Sequence, residues 1–345
     1  MSPVPIDVVI VNYRCGRLVV DALASLEGEA AAWPGMRVVV VDNDSGDDSV
    51  DVIGQAIAAR GWGEWASVVP AGRNGGFAFG NNIGIASTGG IEGDGAVLLL
   101  NPDTVVRPGL IAALSAVLGE RPRAGIVGCR LEDPDGTPQG CGHPLPTPLR
   151  EFQRAARIGA LSRLMGPLTL PEPRDAAAGR PERCGWVSGA ALCVRREVLR
   201  QVGMMDEGYF LYFEEVDLCK RAVDAGWEVW TAPGARVVHL EGSATGITQR
   251  KKRRPKYWFD SRRRYFLKHH GVVGLAAADA LWLIGRGMLR ARGLVGLARG
   301  VEPMPPRFTR DLLAGDIGAM LRPRSWRPAT VEPRERAPVG AEAVA

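Results

Sequence analysis

Apolar residues follow two rhythms along this chain. "IDVVIVNY" (Ile6 to Tyr13), "MRVVVVDND" (Met36 to Asp44), "ASVVP" (Ala66 to Pro70), "GAVLLLN" (Gly95 to Asn101) and "AGIVGCRL" (Ala124 to Leu131) are apolar runs, several ending on polar residues. Strands buried on both faces of a sheet read this way. Between them lie "GRLVVDALASLEG", "DDSVDVIGQAIAARG", "FAFGNNIGIAS" and "PGLIAALSAVLGE", which read as helices. The alternation predicts a parallel sheet with helices on both faces. It lapses from His143 to Cys184, a proline-bearing region with one short amphipathic piece, "LREFQRAARIGALSRL", expected to be an insertion near the active face. A second block, from Gly185 to Thr245, contains a further helix within "YFLYFEEVDLCKRAVDAGW" and a strand closing on His239.

Composition adds a size and a setting. The 345 residues, 46% hydrophobic, suffice for one large α/β domain or a domain with appendages. The six cysteines stand singly, with no C-x-x-C pair, and no basic-then-apolar leader opens the sequence. A reducing, cytoplasmic setting with mostly buried thiols is expected. The net charge of +5 is local: Arg250 to Arg264 holds nine basic residues against Asp260, and the rest of the chain carries −3. Such a stretch suits anionic lipid, nucleic acid or a phosphorylated substrate. No nucleic-acid fold signature accompanies it, so nucleic acid is not an expected partner. "GVVGLAAADALWLIG" (Gly271 to Gly285) is short for a span of ~20 residues. Its basic flanks suit a helix lying on a membrane surface, the other reading being an ordinary packing helix. From Pro323 onward a Pro- and Arg-rich tail is expected to be disordered.

Five places carry candidate chemistry. Asp42 ends the second strand in "DNDS", where an acid can accept from a base or ribose, although Asp-Asn-x-Ser also suits a helix cap or turn. The first strand-helix turn, "NYRCGR", lacks G-x-G-x-x-G, and no G-x-x-x-x-G-K-[ST] occurs, which argues against a nicotinamide cofactor held in the usual way and against a P-loop kinase. "GRNGGFAFGNN" sets glycines and Arg73 before a helix, where free N–H groups can face an anion. Asn101-Pro102-Asp103 delivers a carboxylate to a strand end; Mg²⁺ takes one or two such ligands plus phosphate oxygens. Glu214, Glu215 and Asp217 crowd the first turn of a helix beside four aromatics. The helix dipole accounts for one acid there, and a desolvated carboxylate suits a general base. His239 could supply an imidazole to the same metal.

In this order, "VVIVNY", "VVVVDNDSGD", "RNGGFAFGNN", "LLLNPD", "SGAALCVRREVL", "FLYFEEVDLCKRAVDAGW" and "HLEGSAT" resemble the family 2 glycosyltransferases of the GT-A fold, nearest to rhamnosyltransferase-like enzymes. The likeness spans Ile6 to Thr245. It implies an α/β fold with a single Rossmann-like mixed sheet flanked by helices, over residues 1–249, with 143–184 inserted on the acceptor side. A basic, amphipathic helical extension (250–320) and a disordered tail (321–345) would follow.

The implied reaction is an inverting transfer of a sugar, rhamnose or a related one, from a nucleoside diphosphate sugar to a hydroxyl of a saccharide or lipid-linked saccharide. Cell-surface polysaccharide assembly at the inner face of the plasma membrane, with peripheral membrane contact, is the implied setting. By resemblance Asp42 contacts the base, Arg73 and Asn74 lie along the nucleotide, and Asp103 and His239 bind a divalent metal, Mg²⁺ or Mn²⁺. Asn101 stands where the family's D-x-D motif has its first acid. Glu215 stands where the family's base is an aspartate, so Glu214 and Asp217 remain substitutes for it. Gly189 and Ala190 would leave room for the sugars, and Trp186 stacks on one or belongs to the core. Rival readings are a non-catalytic nucleotide-sugar or saccharide-binding protein of the same fold and, within enzymes, a retaining or nucleotidyl-transferring relative.

Overall fold

The computed structural model describes residues 3–157, 179–240, 252–297 and 304–321. The expected tail and parts of the expected insertion and of "HLEGSAT" lie outside them. Strands β1 (Ile6–Asn12), β2 (Val38–Asp42), β3 (Ala66–Pro70), β4 (Ala96–Leu100), β5 (Thr104–Val106) and β6 (Ala124–Glu132) alternate with helices α1 (Gly16–Ala32), α2 (Ser49–Ala59), α3 (Phe77–Ser87) and α4 (Leu110–Glu120). β7 (Gly142–His143) and β9 (Trp186–Val187) form a small ribbon around α5 (Pro148–Ala156) and β8 (Glu182–Cys184). β10 (Ala191–Arg195), α6 (Arg196–Val202), α7 (Glu214–Asp224) and β11 (Glu228–His239) follow, then α8 (Lys256–Leu294) and α9 (Phe308–Leu321).

The main sheet runs β3-β2-β1-β4-β10-β6-β11-β5, with β8 also on β11. Side chains alternate across it as the pleat requires. Val8, Ile10, Val38, Val40 and Leu98 pack under α1, α2 and α4 through Leu23, Leu26, Ile53 and Leu114. Val9, Val39, Val41, Val97 and Leu99 pack against Ile85 of α3, Leu199 of α6 and Leu218 of α7. β4 (AVLLL) is apolar and buried at every position because both of its faces are covered.

The sheet is mixed rather than wholly parallel. β10 runs antiparallel to both β4 and β6, and β5 antiparallel to β11. The β-α rhythm fails between β6 and β10, where the short β7–β9 ribbon and α5 intervene, and β10 enters from the opposite edge. β11 pairs parallel with β6 through a register shift between Ala232 and Arg236. That irregularity bends the long strand and lets its two halves meet β8 and β5 separately.

The C-terminal segment departs most from expectation. The helix expected at Gly271 to Gly285 is the middle of α8, which starts fifteen residues earlier and breaks at Gly271 (φ 66°, ψ −174°). α8 is long and apolar enough to cross a membrane by length and composition, yet a third of its most apolar window is buried in the protein. It packs along α5, where a Cβ on Gly285 would lie 2.8 Å from the Phe152 carbonyl oxygen. The basic stretch, read as a local charged device, divides: Lys252, Arg253 and Lys256 are exposed, whereas Arg262 is 2% exposed and bonds Glu151, Asp279 and Asp316. Arg263 bonds Asp316 and Asp260, and Arg264 bonds Asp206. These three consecutive guanidiniums face acids on α5, α8, α9 and the turn before α7, and a one-dimensional charge count cannot see those partners.

Candidate active site

Strand directions bring the candidates to one edge. β1, β2, β4, β6 and β11 all point their carboxyl ends the same way, and β10 begins there. Asn12, Asp42, Asn101, Ala190 and His239 end or adjoin these strands, so the edge collects residues up to 227 positions apart.

Asp42 is held from within. Its Oδ1 accepts from Asn12 Nδ2 at 2.7 Å and Ser45 Oγ at 2.6 Å, and its Oδ2 from the Ser45 backbone N–H at 3.1 Å. A carboxylate accepts about four bonds, which leaves roughly one for a ligand. The Asn43 amide bonds Asn74 Oδ1 and the Gly76 carbonyl, tying the end of β2 to the glycine loop. Asn74 thus shapes the loop, while Arg73 lies exposed with its guanidinium 4.1 Å from the Phe79 ring centre. Gly76 (φ 89°) is obligatory: a Cβ would lie 2.2 Å from the Phe210 carbonyl oxygen, which accepts from Phe77 N–H at 2.8 Å. That contact joins the glycine loop to the turn before α7.

Asp103 and His239 meet because β5 and β11 pair Thr104 with His239. The His239 Nε2 stands 3.7 Å from Asp103 Oδ1, with the histidine side chain 14% and the aspartate 3% exposed. His239 Nδ1 lies 3.3 Å from Gln139 Oε1, and Gln139 Nε2 donates to the His239 carbonyl. A proton on Nδ1 satisfies Oε1 and leaves the Nε2 lone pair facing Asp103. Two ligands ~2.0–2.2 Å from one divalent ion lie roughly 3–4 Å from each other, so the pair fits such an ion. No cluster of three or more His, Cys, Asp or Glu occurs among the described residues, so the pair is the whole candidate ligand set among them. Asn101 adds no charge; its N–H donates to the Ala190 carbonyl at 2.9 Å, and its carbonyl accepts from Thr104 Oγ1.

The acids on α7 separate into two environments. Asp217 is fully buried and bonded by His269 Nε2 (2.7 Å), Lys268 Nζ (2.8 Å) and Arg221 Nε (2.8 Å). Burial raises its proton affinity, but the His269 bond and the Arg221 and Lys268 charges more than offset this and hold the carboxyl far below its usual range. It anchors α8 to α7 and is a poor base. Sequence assigned His269 no chemistry; its partner lies 52 residues away, and nothing local signals it.

Glu214 and Glu215 follow two consecutive residues in left-handed conformation, Tyr212 (φ 71°) and Phe213 (φ 70°). Each costs of order 1–3 kcal/mol and needs surrounding structure to hold it. α8 supplies that support: Ser261 Oγ donates to the Leu211 carbonyl, Tyr257 stacks on Tyr212 at 6.1 Å, and Trp258 and Tyr265 meet Phe213. Neither Glu214 Oε2 nor Glu215 Oε2 has a hydrogen-bond partner among the described residues. Burial pushes the Glu215 carboxyl up from its ordinary 4.5 to about 7. Burial and then the Glu215 charge push Glu214 well above its usual range.

Gly189 faces Glu215; a Cβ there would stand 3.5 Å from the glutamate Cγ. Ala190, buried, continues through its carbonyl to Asn101, so a chain of contacts leads from Glu215 to the Asp103–His239 pair. Trp186 is tied down, donating to the Pro144 carbonyl and packing on His143 at 4.5 Å, as a core tryptophan does.

Residues 3–258 match the family described as "Glycosyltransferase like family 2". Among characterised relatives, the N-acetylglucosaminyl-diphospho-decaprenol L-rhamnosyltransferase of Mycobacterium tuberculosis is 33% identical over 255 residues, covering 70% of this chain and 78% of its own. The mannosyltransferase PcManGT from Pyrobaculum calidifontis, in complex with GDP-Man and Mn²⁺, superposes with a TM-score of 0.52 at 17% identity, covering 94% of this chain and 84% of that one. GalNAc-T7 with UDP, GalNAc and Mn²⁺ gives 0.53 at 14% identity, covering 92% of this chain and 58% of that one. These likenesses establish the GT-A fold.

Proposed function

The chain belongs to the family 2 glycosyltransferases, and on that premise we propose that it moves a sugar, with inversion, from a nucleoside diphosphate sugar to a hydroxyl of a lipid-linked saccharide. The observation that carries this reading is Glu215: a carboxyl raised to about 7 by burial, with its Oε2 lacking a hydrogen-bond partner among the described residues, on a strained turn and facing the gap left by Gly189. A base with that proton affinity is half-ionised near neutral pH and can take a proton from an attacking hydroxyl. Rhamnose or a related sugar is the proposed donor group, and a lipid diphosphate the proposed carrier, on the strength of the mycobacterial relative's name.

In the proposed mechanism the acceptor hydroxyl donates to Glu215 while its oxygen attacks the anomeric carbon from the face opposite the diphosphate. The C–O bond forms, the bond to the nucleoside diphosphate breaks, and the proton stays on Glu215. Asp42 receives the base with its remaining acceptor capacity, and Arg73 lies along the diphosphate. Asp103 and His239 would hold a divalent cation, Mg²⁺ or Mn²⁺, whose Lewis acidity offsets charge on the departing diphosphate.

We place the protein at a membrane surface, peripherally, through α8 and α9. Opposite its buried stripe α8 shows a second apolar one, with Val273 82%, Ile284 54% and Leu294 89% exposed. An apolar stripe left uncovered along the C-terminal half of a helix supports an apolar partner on the open side.

Incubating the full chain with nucleoside diphosphate sugars, Mg²⁺ or Mn²⁺ and a lipid-linked saccharide tests the reading. The expected result is metal-dependent release of nucleoside diphosphate and a product of inverted configuration. Retained configuration refutes the mechanism; donor binding without turnover by any acceptor favours a binding protein instead.

A further inference from the structure

A cavity of ≈ 190 Å³ opens between α5, α8 and α9 and is lined by none of the candidate site residues. One side is aromatic: Trp258, Trp282 and Phe308 pack on one another, with ring centres 5.5–5.7 Å apart in the Trp258–Phe308 and Trp282–Phe308 pairs. The other side gathers Arg154, Arg157, Arg254 and Arg286. The acid on this wall, Glu151, is already engaged: its Oε2 accepts from Nε and Nη2 of the buried Arg262 at 3.1 and 3.0 Å. Arg154 reaches Glu151 Oε1 only at 3.8 Å. Among the described residues Arg157, Arg254 and Arg286 form no side-chain ion pair, and the Arg286 Nε is buried with no acceptor. Burial and the like charges of Arg290 and Arg157 lower the Arg286 proton affinity. Among the described residues, positive charge is therefore concentrated beside an aromatic wall with Glu151 as the one acid lining the cavity.

We propose that this cavity binds the phosphate or diphosphate end of a hydrocarbon-chain lipid, the guanidiniums clasping the phosphate and the aromatic wall receiving the first carbons of the chain. Guanidinium forks match phosphate oxygens in pairs, and in a partly buried site each such bond is charge-assisted. The cavity's small size suits one phosphorylated end rather than a polymer. The exposed apolar stripe lies on the same helix, α8, so a lipid can enter from a membrane beneath it. Trp258 also touches Phe213, 6.0 Å away, the residue preceding Glu214, which links an occupied cavity to the acid turn. That this lipid carries the acceptor rests on the transferase reading above; the binding itself does not.

The test uses the full chain with three probes: farnesyl diphosphate, farnesol and inorganic pyrophosphate, each read by calorimetry and thermal shift. Farnesyl diphosphate is expected to bind at least ~10-fold more tightly than either other probe, because only it fills both sides of the cavity. The double variant Arg154→Gln/Arg286→Gln is expected to weaken that binding ~10²-fold, the factor that two charge-assisted bonds supply. Its thermal shift with a nucleoside diphosphate sugar should be unchanged. If the double variant does not fold, Arg157→Gln/Arg254→Gln, on exposed and half-buried side chains, takes its place. Wild-type binding by the folded variant, or pyrophosphate binding as tightly as farnesyl diphosphate, overturns the site. Donor turnover with no lipid binding would sink this inference alone; lipid binding with no turnover of any donor would sink the transferase reading and leave the cavity assigned.

Discussion

Glu215 sets the pH behaviour of the acid turn. Its folded value of about 7 lies above its ordinary 4.5, so between those pH values the folded protein keeps a proton that the unfolded chain has released. Stability therefore falls as pH rises through that window and is flat, for this group, above it. Activity runs the other way, since only the ionised carboxylate accepts a proton. Glu215→Gln should lower kcat by ~10²–10⁴ while abolishing the inflection near pH 7 in kcat/KM and flattening the stability slope between pH 4.5 and 7. Urea titrations at several pH values and a kinetic profile read both. A variant that keeps the inflection assigns it to another group, Glu214 being the first to examine. Asp217 carries the opposite sign: its folded value is depressed, so its contribution is present above its ordinary value of 3.8 and is lost as pH falls below it.

At the scale of elements, α8 builds the site without contributing a reacting group. Asp206, fully buried in the turn before α7, accepts from Arg264 Nη2 at 2.8 Å and Lys268 Nζ at 2.8 Å, both on α8. Those bonds hold its carboxyl below the ordinary range despite burial. Arg264→Met removes one partner from a buried acid and should cost about 3 kcal/mol, read from the urea midpoint. Because residues 206–213 lead directly into Glu214 and Glu215, the same change should lower kcat by ~10² through misplacement of the base. Unaltered kcat in a destabilised variant would mean that the turn holds itself.

For the whole molecule the prediction concerns where it works. Val273→Asp with Ile284→Asp places two charges on the exposed stripe of α8 and touches nothing buried, so the melting temperature should stay within the range of ordinary surface changes. Sedimentation with phospholipid vesicles should fall, since each apolar side chain removed from a bilayer contact forfeits roughly 1.5–3 kcal/mol. Turnover of a lipid-linked acceptor in vesicles should fall with it, and turnover of a water-soluble acceptor should not. Equal sedimentation of variant and parent would move the membrane contact elsewhere or remove it. Neutralising Arg250 to Arg264 is not an equivalent experiment, because Arg262, Arg263 and Arg264 hold the fold together.

How much of this was legible in the residues follows from the range of each interaction. Strands such as Val38 to Asp42 and helices such as Gly16 to Ala32 announce themselves, because burial on two faces imposes an unbroken apolar run and burial on one stripe imposes a helical period that local sequence must carry. Asn101-Pro102-Asp103 and the acids after Phe213 were visible for the same reason: a polar group closing an apolar run is a local event. Direction was not local. That β10 enters antiparallel, that Gln139 turns His239, that His269 quenches Asp217 and that the arginines of α8 face inward all depend on partners tens to hundreds of positions away. Composition determined the elements and the polar residues available at their ends; packing alone decided which carboxylates were neutralised by neighbours and which were left buried and reactive, because a charge's chemistry is set by what lies within a few ångströms of it in space.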